Sequence, residues 1–408
     1  MRISDVAIVP VAHREPPLRN SWGAHSELAA RTIVILTAAD GTRGIAETYG
    51  DSQVIEGLED ARDLIEGMNP YELAPLRLKI HDEIIFGAIE TAIYDLLGKV
   101  TGQPVHALLG GKVRDDVEYT GYLFYKYADS DPETAAIAPQ EVMTPEAVVE
   151  MAREFVDKHG FRVLKLKAGV LDPDEEVETV ELLAEEFGRE VPIRMDPNGA
   201  WSVETATRIA QDLRELPARV QWMEDPVPSM HAHARLKENI DYPIATNMFV
   251  TEFDHIAPAV TANAVDIILS DHHYWGGLTG NQELDRVART FDLGVGMHSN
   301  SHLGVSMAAM THTALAMPTL RYTCDTHYPY MADDVIKDPV SFEEGCMTAT
   351  DDPGLGVELD DETLQWMHER YQESETLEYS TVGSMATEYA DAMSEVSTED
   401  WLPNKPIW

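Results

Sequence analysis

The chain has 408 residues, 44% of them hydrophobic, enough for a large buried core and more than one domain. Its 72 acidic residues outnumber 30 basic ones for a net charge of −42, and no basic patch relieves the excess, which excludes nucleic acid and anionic membrane as partners. Acidity spread over the whole length, with ten lysines against twenty arginines, points to a surface adapted to high salt, where screening and bound cations offset self-repulsion.

The two cysteines, Cys324 and Cys346, make no CxxC motif and no disulfide framework. The N-terminus lacks the apolar core of a signal peptide, and no apolar run approaches a membrane span. The expectation is a soluble cytoplasmic protein.

Residues 1–115 read as an α+β capping domain. Val6 to Ala12 and Thr32 to Ala38 look like strands, the second turning at Asp40-Gly41 and returning through Thr42 to Ala46. Helical spacing follows over Val54 to Glu66 and Ile89 to Gly98, and Pro104, Gly110 and Gly111 mark a change of element. From 116 to 345 strand and helix alternate. Strands are expected near 118–124, 162–167, 192–196, 220–224, 243–247, 265–270, 293–298 and 319–324, with helices such as Thr144 to His159, Asp174 to Phe187 and Val203 to Leu216. Eight alternations predict an α/β fold, a (β/α)8 TIM-type barrel, and no glycine-rich loop follows the first strand to suggest a dinucleotide fold. Residues 346–408, with one helix near Asp361 to Tyr371, are expected to pack back onto the capping domain and complete it.

The predicted strand ends carry the chemistry. Lys165 and Lys167, Asp196, Glu224, Asn247, Asp271 and His298 each close a short apolar run, and successive ones lie about 25 residues apart, one strand plus one helix, so they form a ring around a single pocket. Lys165 and Lys167, two apart on a strand, point to the same face. Crowding of the two cations disfavours the protonated form and suits a lysine to act as a general base. Asp196, Glu224 and Asn247 offer three oxygen ligands from consecutive strands, a donor set for Mg2+. Taken singly, each is also a turn or cap residue. Asp271 on the strand next to His298 can orient its imidazole and raise its basicity. His298 and His302 have the spacing of a zinc-type pair, but they span a strand-to-loop transition instead of a helix.

These motifs together resemble the enolase superfamily, and within it the glucarate dehydratase group. The likeness runs through Gly23-Ala24-His25, Gly121 to Phe124, Lys165 to Val170, Asp196 to Trp201, Ala245 to Met248, His298 to Asn300, Asp325 to His327 and Pro353 to Glu358. Asn247 as third metal ligand is specific, because most members of the superfamily carry a carboxylate there. The resemblance implies Mg2+-assisted dehydration of an acid sugar, with D-glucarate giving a 5-keto-4-deoxy-glucarate product through an enediolate. By the same resemblance Lys167 is the base on one face, with Lys165 tuning it. His298, paired with Asp271, is base for the epimeric substrate and acid for the departing β-hydroxyl. His25, Tyr122, Asn198, Ser299, Asn300 and His327 match positions that line the substrate site.

The chain departs from the group at the distal end of that site. The arginine-rich C-terminal ending is replaced by Asn404-Lys405-Pro406-Ile407-Trp408, a capping-domain threonine is replaced near Gly87, and the N-terminal loop offers Arg14 and Arg19 instead. A dehydratase or epimerase of another acid sugar, such as gluconate or galactonate, and a non-catalytic acid-sugar-binding barrel are the alternatives. The expected partners are the small-molecule substrate and, as a homo-oligomer, further copies of the chain.

Overall fold

The computed structural model describes residues 1–374 apart from 22, 131–135 and 217, together with the backbone of 385–386. The chain begins with β1 (Ile3–Arg14), the ribbon of β2 (Arg19–Asn20) and β3 (Gly23–His25), to which Met385–Ala386 adds a third strand beside β3, then β4 (Leu28–Ala38) and β5 (Arg43–Tyr49). Helices α1 (Ser52–Ile65), α2 (Leu73–Arg77), α3 (Glu83–Thr101) and α4 (Val105–Leu108) follow. The antiparallel sheet β1-β4-β5 turns at Asp40-Gly41, where the Asp40 carboxylate accepts from the Thr42 N–H and Gly41 takes φ +88°.

This sheet is covered on both faces, which explains why β4 reads as an almost unbroken apolar run. Val34 and Leu36 face α1 and α3, whereas Ile33 and Ile35 face the opposite way, in a core shared with Val305, Ala308 and Met367.

The alternating region supplies β6 (Val117–Phe124), α5 (Pro145–His159), β7 (Leu164–Lys167), α6 (Pro173–Phe187), β8 (Ile193–Asp196), α7 (Val203–Glu215), β9 (Val220–Glu224) and α8 (Met230–Lys237). It continues through β10 (Ile244–Thr246), α9 (Phe253–Thr261), β11 (Ile267–Ser270), α10 (Gly277–Thr290), β12 (Gly294–Met297), α11 (Gly304–Leu315) and β13 (Cys324–Thr326). The eight strands pair in parallel from β6 to β12, and β13 pairs back onto β6. At the seam between β12 and β13 the Arg321 N–H donates to the Val295 carbonyl at 3.3 Å. Gly294 leaves room there for the Tyr322 ring, which a Cβ would meet at 2.7 Å. The fold is thus an α/β barrel of the TIM type with a capping sheet and helices.

One boundary differs from the sequence expectation. The last barrel strand, expected at 319–324, lies at 324–326. The residues before it are held by side chains: Thr319 N–H donates to Asp285, and the Arg114 guanidinium donates to the carbonyls of Met317 and Leu320. Ladder pairing with β6 starts only at Cys324.

After β14 (Cys346–Met347), helix α12 (Asp361–Glu373) packs on β1, where Arg370 Nε donates to the Ala12 carbonyl at 2.9 Å and His368 Nδ1 to that of Pro10 at 2.6 Å. The ending Asn404 to Trp408 lies outside the described residues. Among the described residues no helix is long and apolar enough to cross a membrane.

Candidate active site

The barrel geometry gathers the predicted ring. Lys167, Asp196 and Glu224 are the last residues of β7, β8 and β9, and Asn247, Asp271, His298 and His327 each follow the last residue of their strands. All the carboxylates and both lysines are buried. Lys165 Nζ lies 2.5 Å from Glu224 Oε2 and 2.9 Å from Asp325 Oδ2, and it donates to the Tyr122 hydroxyl at 2.8 Å. Lys167 Nζ contacts Asp196 Oδ2 and donates to Asn198 Oδ1 at 3.2 Å.

Burial alone would lower the Lys165 pKa, but Asp325, Glu224 and Asp196 outweigh it and raise it. This corrects the expectation that crowding by its cationic neighbour governs Lys165: buried carboxylates dominate its field.

The oxygen set fits a hard cation. Four buried carboxylates (Asp196, Glu224, Asp225 and Asp325) face three buried cations (Lys165, Lys167 and Arg194). Burial and then Asp196 push the Glu224 pKa well up, and the same two causes raise that of Asp225 to about 7. The Asn247 amide oxygen faces only acceptors, Glu224 Oε1 and Asp225 Oδ2 among them. That contact is repulsive unless a cation sits among the oxygens or the amide turns over. Turned over, it donates to Asp225 at 3.0 Å and Glu224 at 3.2 Å and accepts from His298 Nε2 at 3.2 Å. Converging oxygens, carboxylates close enough to raise one another's pKa, and no thiolate suit Mg2+.

His298 stands on the Asn247 side of this oxygen cluster and Lys167 on the Asp196 side. Burial lowers the His298 pKa and the Asp271 contact only partly offsets it, so its basicity is not raised as expected. Asp271 is shared. Its Oδ2 lies 3.4 Å from His298 Nδ1 and 3.5 Å from His302 Nε2, while its Oδ1 is 2.6 Å from His273 Nδ1. Burial would raise the Asp271 pKa, but His273, His298 and His302 hold it well below the usual carboxylate range.

Ligand-type atoms of Asp271, His273 and His302 all lie within 4.8 Å of one another. Arg31 Nη2, which can only donate, faces His273 Nε2 at 3.1 Å. The ring proton therefore sits on Nδ1 against Asp271, and that nitrogen has no lone pair to offer a metal.

The residues assigned to substrate by resemblance divide. His25 stacks on His327, with ring centroids 6.2 Å apart, and bonds Glu15 Oε1 at 2.9 Å. His327 Nδ1 is buried with no partner among the described residues, and burial followed by His25 holds its pKa well below the usual value. Asn198 stands beside Lys167, its Nδ2 3.6 Å from Met248 Sδ. Ser299 bonds the Asn300 carbonyl at 2.9 Å, and Asn300 is half-buried beside it. Tyr122 is fully enclosed: its hydroxyl donates to Asp325 at 2.8 Å and its ring lies 4.6 Å from the Lys165 ammonium.

Arg14 is clamped to Asp333 at 3.2 Å, and Arg19 lies over Tyr127 and donates to its hydroxyl at 2.5 Å. Gly87 fills a contact instead of a binding role, since a Cβ there would come within 2.9 Å of the His272 and His273 carbonyls.

Sequence reasoning missed Glu15, whose Oε2 accepts from Ser301 at 2.5 Å, and also Arg31, Glu47 and His273. The only local signal was the doubled histidine after Asp271.

Comparison with known proteins agrees with this geometry. Residues 147–363 match the model of the enolase C-terminal domain-like family. A probable glucarate dehydratase of Streptomyces coelicolor is 40% identical over all of this chain and 99% of its own length. An enolase from Thermobispora bispora, solved with magnesium and formate, is 36% identical with a TM-score of 0.89 and full coverage of both chains. One from Pseudomonas fluorescens, solved with magnesium, potassium and tartrate, is 35% identical with a TM-score of 0.89, covering 100% of this chain and 99% of that one. With a strand-end ring of this composition on this barrel, the chain belongs to the enolase superfamily.

Proposed function

We propose that the chain is a Mg2+-dependent acid-sugar dehydratase whose substrate is D-glucarate. One observation carries the reading: two groups able to move a proton, Lys167 and His298, flank a buried cluster of carboxylate and amide oxygens. Asp196, Glu224 and Asn247 are the metal-holding residues. Mg2+ bound there supplies positive charge that acidifies the hydrogen α to a substrate carboxylate and offsets the charge left by its removal.

Lys167 Nζ takes that proton on one face, with Lys165 beside it as a fixed positive charge. His298, oriented by Asp271, takes it from the epimer on the other face and returns it to the departing β-hydroxyl; for the Lys167-face substrate the imidazole enters the reaction already protonated from solvent and gives that proton to the hydroxyl. His25, Asn198, Ser299, Asn300 and His327 contact the substrate, and Tyr122 supports the lysines from below. We also assign residues 1–115 to the cap, 116–345 to the barrel and 346–408 to a segment that returns to the cap; α12 lying on β1 supports the last assignment.

The name of the Streptomyces relative and the tartrate held by the Pseudomonas protein support a hydroxy-diacid. A monoacid such as gluconate or galactonate is the second reading, favoured by the engagement of Arg14 with Asp333 and Arg19 with Tyr127, away from a distal carboxylate. The test is keto-deoxy product formation from D-glucarate with Mg2+ in molar KCl, the condition suited to a net charge of −42, with gluconate and galactonate in parallel. Glucarate turnover is expected. Turnover of a monoacid alone moves the substrate, and no product with no α-hydrogen exchange from any of the three refutes the dehydratase.

A further inference from the structure

We propose that Arg31 and Glu47, two buried residues of the capping sheet, are positioning residues for the Asp271–His298 pair and act through His273. The role in turnover rests on the function proposed above for that pair. Arg31 on β4 and Glu47 on β5 share the sheet face turned toward the barrel, and their ion pair is 2.8 Å long with both side chains almost wholly buried.

The guanidinium is forked. Nε donates to Glu47 Oε1, and Nη2 lies 3.1 Å from His273 Nε2. Tyr49 braces the arrangement, its ring 4.9 Å from the guanidinium carbon and 4.9 Å from the His273 ring.

The consequence is a fixed tautomer. Arg31 has donors only, so His273 turns a lone pair toward it and carries its proton on Nδ1. That proton and the His273 backbone N–H both reach Asp271 Oδ1, at 2.6 and 2.8 Å. Two donors on Oδ1 fix the carboxylate plane and leave Oδ2 turned to His298 Nδ1. Without Arg31 the ring keeps only Ser306 Oγ, at 3.0 Å, on its Nε2 side and is free to turn. Nδ1–H then leaves Asp271 Oδ1, and the carboxylate is no longer held in that plane.

Glu47 acts on the other end of the pair as well. It accepts from the N–H groups of Leu303 and Ser306 at 2.9 and 2.8 Å, holding the segment that leaves His298 and enters α11. One ion pair in the cap therefore fixes both members of a barrel proton-transfer pair, whereas the Lys167 side makes no such contact with it.

The test uses the Mg2+-loaded full chain and reads α-hydrogen exchange with deuterium oxide for D-glucarate and its epimer at the carbon that loses the proton. Arg31→Met should slow exchange of the His298-face epimer by about tenfold or more and leave the Lys167-face epimer within about twofold. The double variant Arg31→Met/Glu47→Gln removes both charges and guards against a folding failure of the single one. Nitrogen-15 spectra of the histidines provide a readout independent of substrate: His273 should carry its proton on Nδ1 in the parent and lose that preference in the double variant. Equal loss on both faces, no loss on either, or an unchanged His273 tautomer overturns the inference. If the parent exchanges neither epimer, the dehydratase reading fails, and an unchanged tautomer still overturns the Arg31–His273 link.

Discussion

The two halves of the pocket rim are held in different ways. The loop after β7, which follows Lys167, wraps around Glu176 of the very next helix: the N–H groups of Gly169, Val170 and Leu171 donate to it at 3.0, 2.8 and 3.0 Å. Helices α5 to α8 are likewise capped by their own preceding residues, Thr144, Asp172, Ser202 and Ser229. On the other half, α10 and α11 have no side-chain cap of their own. Their N-termini are satisfied by the capping domain, Glu90 accepting from Leu278 N–H at 2.7 Å and Glu47 from Leu303 and Ser306. The helix N-termini on the lysine side are thus capped from within the barrel, and those of α10 and α11 draw acceptors from the cap.

The largest effect that sharpens this contrast is on turnover. Lys167→Ala should cut the dehydration rate by about 10² to 10⁴, the worth of a general base. Glu47→Ala should show its effect in stability. It strands the buried Arg31 guanidinium and uncaps α11, a cost of about 3 to 5 kcal/mol in a denaturant titration. A loss below about 1 kcal/mol, the typical value of a local cap, would break the comparison.

The next effect is in pH. Burial raises the Glu90 pKa from 4.5 to about 7, against the opposing hydrogen bonds of Thr279 and Leu278. The folded chain then holds this proton more tightly than the unfolded one. The contribution to stability is full below pH 4.5 and is lost as pH rises through about 7. Glu90→Gln removes that dependence, so its midpoint relative to the parent should rise steadily from pH 5 to 7.5; a constant difference would contradict the assignment. The smallest effect is the control on the self-capped half, where Ser202→Ala should cost about 1 kcal/mol and leave turnover unchanged.

The same contrast explains what the sequence revealed. Lys167, Asp196, Glu224, Asn247, Asp271 and His298 were legible because each closes its own apolar run, a signal contained in one strand. The self-capped helices were legible for the same reason. Glu47, Arg31 and Glu90 were not, because their partners Leu303, His273 and Leu278 lie 256, 242 and 188 residues away and no spacing rule connects them. The last barrel strand was placed too early because Arg114, over two hundred residues distant from Leu320, takes carbonyls that a strand pattern alone assigns to the ladder. The partners of Arg14 and Arg19, Asp333 and Tyr127, were hidden for the same reason, lying far away in sequence.

The most direct test of the two-sided site is His298→Asn, studied with Mg2+ in deuterium oxide on D-glucarate and its epimer at the reacting carbon. Lys167 should still exchange the α-hydrogen of one epimer, while neither epimer yields keto-deoxy product because no group remains to protonate the departing hydroxyl. Product formation from either epimer at the parent rate, or loss of exchange from both in a variant that remains folded, would contradict the account.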